Sequence, residues 1–142
     1  YQPIVAAGTR EIEGFETLMR WKHPTLGMVP PARFIPIAEN NGLINLLGAW
    51  ALKAACVQLR QFQEAAGRPL YMSVNISPRQ FRSDKFLDVL DDAIAFSGLP
   101  GEQLVLPGTH GGTERVGQTL DDREVLAGAD AAATGHDDRS LG

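Results

Sequence analysis

One long stretch of helical periodicity, set between two strand-like runs, constrains the fold more than any other feature of this sequence. Apolar residues recur every three or four positions from Leu43 to Ala66, and Gly67 follows as a helix C-cap. Strand-like runs cover residues 11–20 before the stretch and residues 70–76 after it. Because strands that alternate with helices form parallel sheets covered by helices, the sequence predicts an α/β fold.

The apolar stripe of the long helix predicts which of its sides packs on the sheet. Its central members are Leu47, Trp50, Ala54 and Val57. The other predicted elements are a strand at residues 1–5, a helical turn opened by Pro30 and Pro31, a second turn begun by Pro36 and stopped at residues 40–42, a helix from Phe86 that ends at Gly98, and a strand at residues 103–106. These elements continue the alternation of strand and helix.

Length and composition favour one globular domain. The chain has 142 residues, and 44% of them are hydrophobic, which suffices for a core. No apolar run approaches the ~20 residues of a membrane span, and no basic apolar leader opens the chain. We therefore expect a cytoplasmic chain without a membrane span. Cys56 lies within the helical pattern as a small core residue, and His110 and His136 have no partner at zinc-ligand spacing.

The charges divide the chain into two parts. Residues 1–107 hold ten acidic and ten basic residues, so the net charge of −4 belongs to residues 108–142. This second part also has seven of the fifteen glycines and no aromatic residue, so it can bury little apolar area. We expect a weakly ordered tail with one possible helix over residues 113–127. No basic stripe is present to follow a nucleic-acid backbone, which excludes a polymeric nucleic-acid partner.

Two polar residues in strand-like surroundings are candidates for a site. Glu16 lies among apolar residues, and strand alternation puts it on the same face as Arg20. The pair predicts a polar site for metal and phosphate, a buried structural ion pair, or an acid at a strand end that faces solvent. Asn75 ends the strand at residues 70–76, and its amide oxygen is either a ligand for Mg²⁺ or Mn²⁺ or a partner of the loop backbone.

The order of motifs along the chain is specific. The motifs are Tyr1-Gln2-Pro3-Ile4-Val5, Glu16-Thr17-Leu18 with Arg20-Trp21 and His23-Pro24, Gly27-Met28-Val29-Pro30-Pro31, Phe34-Ile35-Pro36-Ile37-Ala38-Glu39, Gly42-Leu43-Ile44, and Ser73-Val74-Asn75-Ile76-Ser77 with Gln80-Phe81. From Tyr1 to about Leu106 the sequence resembles the EAL domain, the family of cyclic di-GMP phosphodiesterases. The signature triplet reads Glu-Thr-Leu here, and its acid is kept.

The resemblance implies a fold and a chemistry. The fold would be the first half of a (β/α)8 TIM-type barrel, with residues 1–107 as the barrel part. By position, Glu16 and Asn75 match metal ligands of the family, Gln2 matches a residue near the nucleotide, and Arg20 matches one that contacts its phosphate. The implied cofactor is Mg²⁺ or Mn²⁺, and the implied reaction is hydrolysis of cyclic di-GMP, a bacterial second messenger, to linear pGpG.

The sequence departs from the family after Leu106. Pro107 stands where the family has a metal-binding acid, His110 replaces a second acid, and Asp137 and Asp138 follow a Thr-Gly that the family places after its paired aspartates. The family's later barrel half and its helix before the first strand have no counterpart. We therefore expect a truncated phosphodiesterase domain with impaired turnover. The alternatives are a module that binds cyclic di-GMP or a protein without catalysis, and a fragment without function. An open half-barrel would also favour a homo-oligomer or association with another domain.

Overall fold

The computed structural model describes residues 1–107 and 113–115. Its elements in chain order are β1 (Gln2–Val5), β2 (Ile12–Thr17), β3 (Trp21–His23), β4 (Gly27–Val29), α1 (Pro31–Asn40), α2 (Leu43–Ala66), β5 (Tyr71–Val74), α3 (Pro78–Phe81), α4 (Phe86–Ser97), a 3-10 turn (Gly101–Gln103), β6 (Leu104–Pro107) and β7 (Thr113–Arg115). Strand and helix alternate through the middle of the chain, as the sequence predicts.

The strands form a five-stranded sheet in the order β1-β2-β5-β6-β7. The central strands β2, β5 and β6 are parallel, and β1 and β7 pair antiparallel at the two sides. A separate hairpin joins β3 to β4. Helix α2 connects β2 to β5, and α4 connects β5 to β6. The parallel centre with helical crossovers confirms the predicted α/β fold, and it brings the carboxyl ends of β2, β5 and β6 to one edge.

The core lies between one face of the sheet and helices α2 and α4. Its fully buried side chains are Leu52, Leu59, Met72, Leu90 and Leu104. Because side chains alternate along a strand, the residues between the core positions of β5 and β6 point to the opposite face. Ser73 and Val105 are those residues, and both are buried. The helix-covered face is therefore apolar, and the other face of β5 carries a hydroxyl.

Helix α2 packs on the sheet through a different stripe from the one that the sequence predicts. The buried stripe includes Leu52, Cys56 and Leu59, whereas Trp50 is 63% exposed and Val57 is 41% exposed. The prediction was wrong because α2 is apolar on two roughly opposite sides, and periodicity alone does not say which side meets the sheet. The stripe with small residues, Ala51, Ala55 and Cys56 among them, allows the closer approach to β5.

Several predicted boundaries move in the structure. Strand β2 ends at Thr17, so residues 18–20 are not strand. Helix α1 is continuous from Pro31 to Asn40, although Pro36 lies inside it and was expected to start a new turn. Residues 113–115 form a strand beside β6 where a helix was expected, and the rest of residues 108–142 lies outside the described part.

The predicted helix ends are confirmed. Gly67 and Gly98 both adopt left-handed backbone, with φ of 63° and 67°, and each donates its backbone N–H to a carbonyl of the preceding helix. Cys56 is fully buried, and this burial raises the pKa of its thiol. Within residues 1–107 and 113–115, no helix has both the length and the apolar content needed to cross a membrane.

Candidate functional site

Glu16 and Asn75 lie together at the carboxyl edge of the sheet. Glu16 is the next-to-last residue of β2, and Asn75 follows directly after β5, the parallel neighbour of β2. The Asn75 side-chain amide donates a hydrogen bond of 2.8 Å from Nδ2 to Oε1 of Glu16. Both were candidate site residues from the sequence, and the structure brings their side chains together. A rotation of the Asn75 amide by 180° would exchange Nδ2 for Oδ1. Oδ1 of Asn75 and Oε1 of Glu16 could then both face the same cation.

Strand pairing adds neighbours on both sides of Glu16. Gln2 of β1 is its antiparallel register partner, and Ser73 of β5 is its parallel one. Register partners project from the same face of a sheet, with Cβ atoms of an antiparallel pair about 5 Å apart. Gln2, Glu16 and Ser73 therefore form a polar row across three strands, on the face opposite the helices.

Arg20 is placed differently from the expectation. Because β2 ends at Thr17, the alternation that would set Arg20 on the face of Glu16 does not reach it. Arg20 is exposed in the segment before β3, and its guanidinium donates from Nη1 to the carbonyl of Met19 at 3.0 Å. Arg20 is also one of the residues that line a groove described below. Whether it contacts a phosphate stays a prediction.

The turn after Asn75 is fixed by a capped helical turn. Ser77 is the N-cap of α3, where its Oγ accepts from the backbone N–H of Arg79 at 3.3 Å, and Oε1 of Gln80 accepts from the backbone N–H of Ser77 at 3.0 Å. Gln80 is 5% exposed, and its amide packs against Gly48 of α2. This packing and the capping box fix the backbone two residues beyond Asn75.

Glu39, near the end of α1, forms hydrogen bonds with the turn that follows Asn75. The Ser77 hydroxyl donates to Oε1 of Glu39, and the Arg79 guanidinium donates to the Glu39 carbonyl at 2.6 Å. Sequence reasoning did not assign roles to Glu39, Ser77 or Gln80. The signal for the last two was present in the Ser-Pro-Arg-Gln run, which is a capping box, but the contact with Glu39 spans 38 residues and has no local signature.

The donor set at this edge fits one hard cation and not two. Glu16 supplies a carboxylate and Asn75 an amide oxygen, which suits a Mg²⁺ ion that keeps several waters. A pair of adjacent cations needs several carboxylates. Throughout the described part of the chain, no group of three or more His, Cys, Asp or Glu side chains could hold a metal ion. At the level of Asn75, the adjoining strand β6 carries Pro107, which has no side-chain donor.

Thr17 points away from the site. It pairs with Val74, which is 1% exposed and lies in the core, so its side chain faces the helices. Its Oγ1 is buried without a hydrogen-bond partner. A buried hydroxyl that lost its water without gaining a partner destabilises the fold. The residue next to Glu16 therefore carries an energetic cost that an apolar side chain would avoid.

A second concave feature lies beside the hairpin, on the outer side of α1 and α2. It is an apolar groove of about 540 Å³. Phe34 and Ile37 of α1, Leu46 and Trp50 of α2, and Trp21 of the hairpin line it. Arg20 and Asn41 are the polar residues of its lining. The groove has the size of a binding site, but its lining is almost entirely apolar.

Comparison with known proteins identifies the family. A family model of the EAL domain matches residues 1–126. The chain belongs to the EAL domain family. The match continues beyond Leu106, where the motif resemblance fades. An uncharacterized signaling protein of Caulobacter vibrioides is 42% identical over 106 residues, and the oxygen sensor protein DosP of Escherichia coli is 41% identical over 106 residues. Each alignment covers 75% of this chain and 13% of the relative's length.

Solved EAL structures share the fold. The MucR phosphodiesterase in complex with c-di-GMP matches with a TM-score of 0.75 and 31% identity, over 94% of this chain and 53% of that one. The FimX EAL domain from Pseudomonas aeruginosa bound to c-di-GMP matches with a TM-score of 0.62 and 27% identity, over 74% of this chain and 41% of that one. The predicted partial TIM-type barrel is thus confirmed, and the chain spans about half the length of its structural neighbour.

Proposed function

We propose that this chain supplies the Glu16–Asn75 part of a cyclic di-GMP site. The carrying observation is the 2.8 Å contact between these side chains at the carboxyl ends of adjacent parallel strands. This is the edge at which TIM-type barrels bind substrates. The two solved relatives named above are complexes with c-di-GMP, and this supports the same ligand here.

In this proposal Glu16 and Asn75 hold one Mg²⁺ or Mn²⁺ ion. When bound, such an ion would neutralise phosphate charge and polarise a phosphoryl oxygen. Glu16 brings the negative charge, and Asn75 brings a neutral oxygen once its amide turns. Ser77 and Gln80 keep the Asn75 backbone in place. Gln2, in register with Glu16, contributes an amide to the nucleotide, and Arg20 swings from Met19 to the phosphate.

The proposed role of this chain is binding with little or no turnover. Hydrolysis by two cations requires further carboxylates at the same edge, and β6 offers Pro107 at the level of Asn75. His110, Asp137 and Asp138 lie outside the described residues. We propose residues 1–107 as the barrel part and residues 108–142 as a second part, of which residues 113–115 pair with β6. Because the proposed ligand is a bacterial second messenger, we place the chain in the cytoplasm.

The test is isothermal titration calorimetry of the purified chain with cyclic di-GMP, with and without Mg²⁺. We expect Mg²⁺-dependent binding that Glu16→Gln weakens by about tenfold or more, because the substitution removes the charged ligand that the described residues supply to the ion. Glu13→Gln is the matched control, since Glu13 is an exposed acid on the same strand and distant from Asn75. Absence of heat from folded chain would favour the alternative of a fragment without function.

A further inference from the structure

An apolar seam runs along the outer side of helix α2. Leu43, Leu46, Trp50 and Val57 are 49%, 70%, 63% and 41% exposed, and Leu47 and Ala54 lie half-buried between them. Their spacing of three and four residues follows a heptad, which keeps one narrow stripe in line along a helix. The side chains that pack inside the chain, Leu52, Cys56 and Leu59 among them, lie on roughly the opposite side of α2 and are not part of this seam.

We infer that this seam is a dimer interface, in which α2 packs antiparallel against α2 of a second copy of the chain. A two-fold axis near Trp50 would set Leu43 opposite Val57 of the copy, and Leu46 opposite Ala54. Each apolar residue of the seam thereby meets an apolar residue of the copy, and the two Trp50 side chains lie at the axis. A surface that is complementary to itself in this way is what a two-fold interface requires.

The size of the seam fits a second copy. Together with Ile37 and Trp21 at its margin, its exposed apolar side chains amount to roughly 600 Å² per copy, and burying two such patches reaches the lower bound of specific interfaces. The groove between α1 and α2 adds depth, because its 540 Å³ can accept a large side chain from the copy. Helix α2 is also long enough, with 24 residues, to carry all contacts on one rigid element.

The charges favour the antiparallel arrangement. Lys53 is the one charged residue of the sequence between positions 43 and 57, and Arg60 follows about two turns later. Parallel helices would set Lys53 beside Lys53 and Arg60 beside Arg60 of the copy, whereas the antiparallel arrangement sets Lys53 level with Leu47. Antiparallel helices also pair opposite dipole ends. The inference does not depend on the proposed function, because no residue of the seam belongs to the Glu16–Asn75 pair.

The first experiment measures mass by sedimentation velocity over a series of protein concentrations. We expect a monomer–dimer equilibrium for the natural chain and a monomer at all concentrations for Trp50→Glu. Phe96→Glu is the matched control, because Phe96 on α4 is 69% exposed and lies outside the seam. This control variant should dimerise like the natural chain. Circular dichroism establishes that each variant is folded. A natural chain that stays monomeric, or a Trp50→Glu variant that still dimerises, overturns the inference.

The second experiment tests the orientation by disulfide trapping. A mixture of Leu43→Cys and Val57→Cys chains should cross-link under mild oxidation, because these positions face each other across the axis. Neither variant should cross-link alone, since its two copies of the cysteine would be about 21 Å apart along α2. Cys56 is fully buried and does not compete. Cross-links from the separate variants and none from the mixture would indicate parallel helices and overturn the inference.

Discussion

Two regions of the parallel part of the sheet, the β2–β5 pair and strand β6, differ in the side chains that they place at the carboxyl edge. Between β2 and β5, Glu16 and Asn75 form a hydrogen-bonded polar pair that a capped turn holds in place. On β6, the next strand, the corresponding level is occupied by Pro107. The backbone is similar on both sides, because parallel pairing continues without interruption from β2 to β6. The parallel scaffold therefore extends one strand beyond the polar pair, and within the described residues that next strand adds no side-chain ligand beside Asn75.

The largest expected effect concerns the rate of hydrolysis at the carboxyl edge of the sheet. We expect the chain to hydrolyse cyclic di-GMP at least about 10³-fold more slowly than an intact EAL phosphodiesterase, because the described residues bring one carboxylate, Glu16, to the edge where water would be activated. Chromatography of linear pGpG, with the MucR phosphodiesterase domain as the positive control, measures the rate. Robust Mg²⁺-dependent product formation that Glu16→Ala abolishes would contradict this expectation and show that the chain is an active phosphodiesterase.

The second prediction concerns the turn that supports the polar pair. Gly48→Ala should lower the free energy of unfolding by about 1–3 kcal/mol, because the added Cβ would lie 1.6 Å from Nε2 of the buried Gln80. Chemical denaturation measures the change. Gly8→Ala is the control, since nothing lies within 4 Å of its added Cβ. An unchanged or raised stability for Gly48→Ala would show that Gln80 moves aside freely and does not fix the Asn75 backbone.

The third prediction concerns adding to β6 a metal ligand like the one that β2 already carries. Pro107→Glu places a carboxylate on β6 at the level of Asn75, so we expect Mg²⁺ affinity to rise by about tenfold. Titration calorimetry with Mg²⁺ measures it. Gln61→Glu adds the same charge on the exposed side of α2 and should leave the affinity unchanged. Equal affinities for both variants would place Pro107 outside the reach of the ion.

The smallest effect concerns the residue beside Glu16. Thr17→Val should raise the free energy of unfolding by about 1 kcal/mol, because it replaces a buried hydroxyl without a partner by a methyl group of the same shape. Thr9→Val serves as the control, since Thr9 is exposed and its hydroxyl accepts from the backbone N–H of Glu11. A loss of stability in Thr17→Val would mean that the Thr17 hydroxyl has a partner.

Much of the fold could be predicted from the sequence, because helix periodicity, glycine caps and apolar strands are local signals. The ends of α2 and α4 at Gly67 and Gly98 are examples. The packed side of α2 could not be predicted, since both of its apolar stripes satisfy the same periodicity and only tertiary packing selects one. Pro36 within α1 and the hairpin at Trp21 to Val29 were missed for a related reason, as packing overrides local preference.

The sequence predicted the two central residues of the site more accurately than the residues around them. Glu16 and Asn75 could be paired because each ends a strand and parallel strands end at one edge. Arg20 was placed on the wrong premise, since β2 ends at Thr17 and the alternation of a strand does not extend to residue 20. Glu39 and Ser73 could not be found, because their importance arises from contacts with residues far away in sequence.

The order of the strands has a consequence for how the chain folds. Each parallel strand pairs with the one that precedes it in the sequence, with separations of 57 residues from Gly14 to Tyr71 and 32 residues from Met72 to Leu104. Closing the longer loop costs about 0.5 kcal/mol more chain entropy than closing the shorter one. The β5-α4-β6 unit should therefore assemble first, and β2 should then add to an edge that already exists. In amide hydrogen exchange, the slowest-exchanging amides should accordingly lie in β5 and β6.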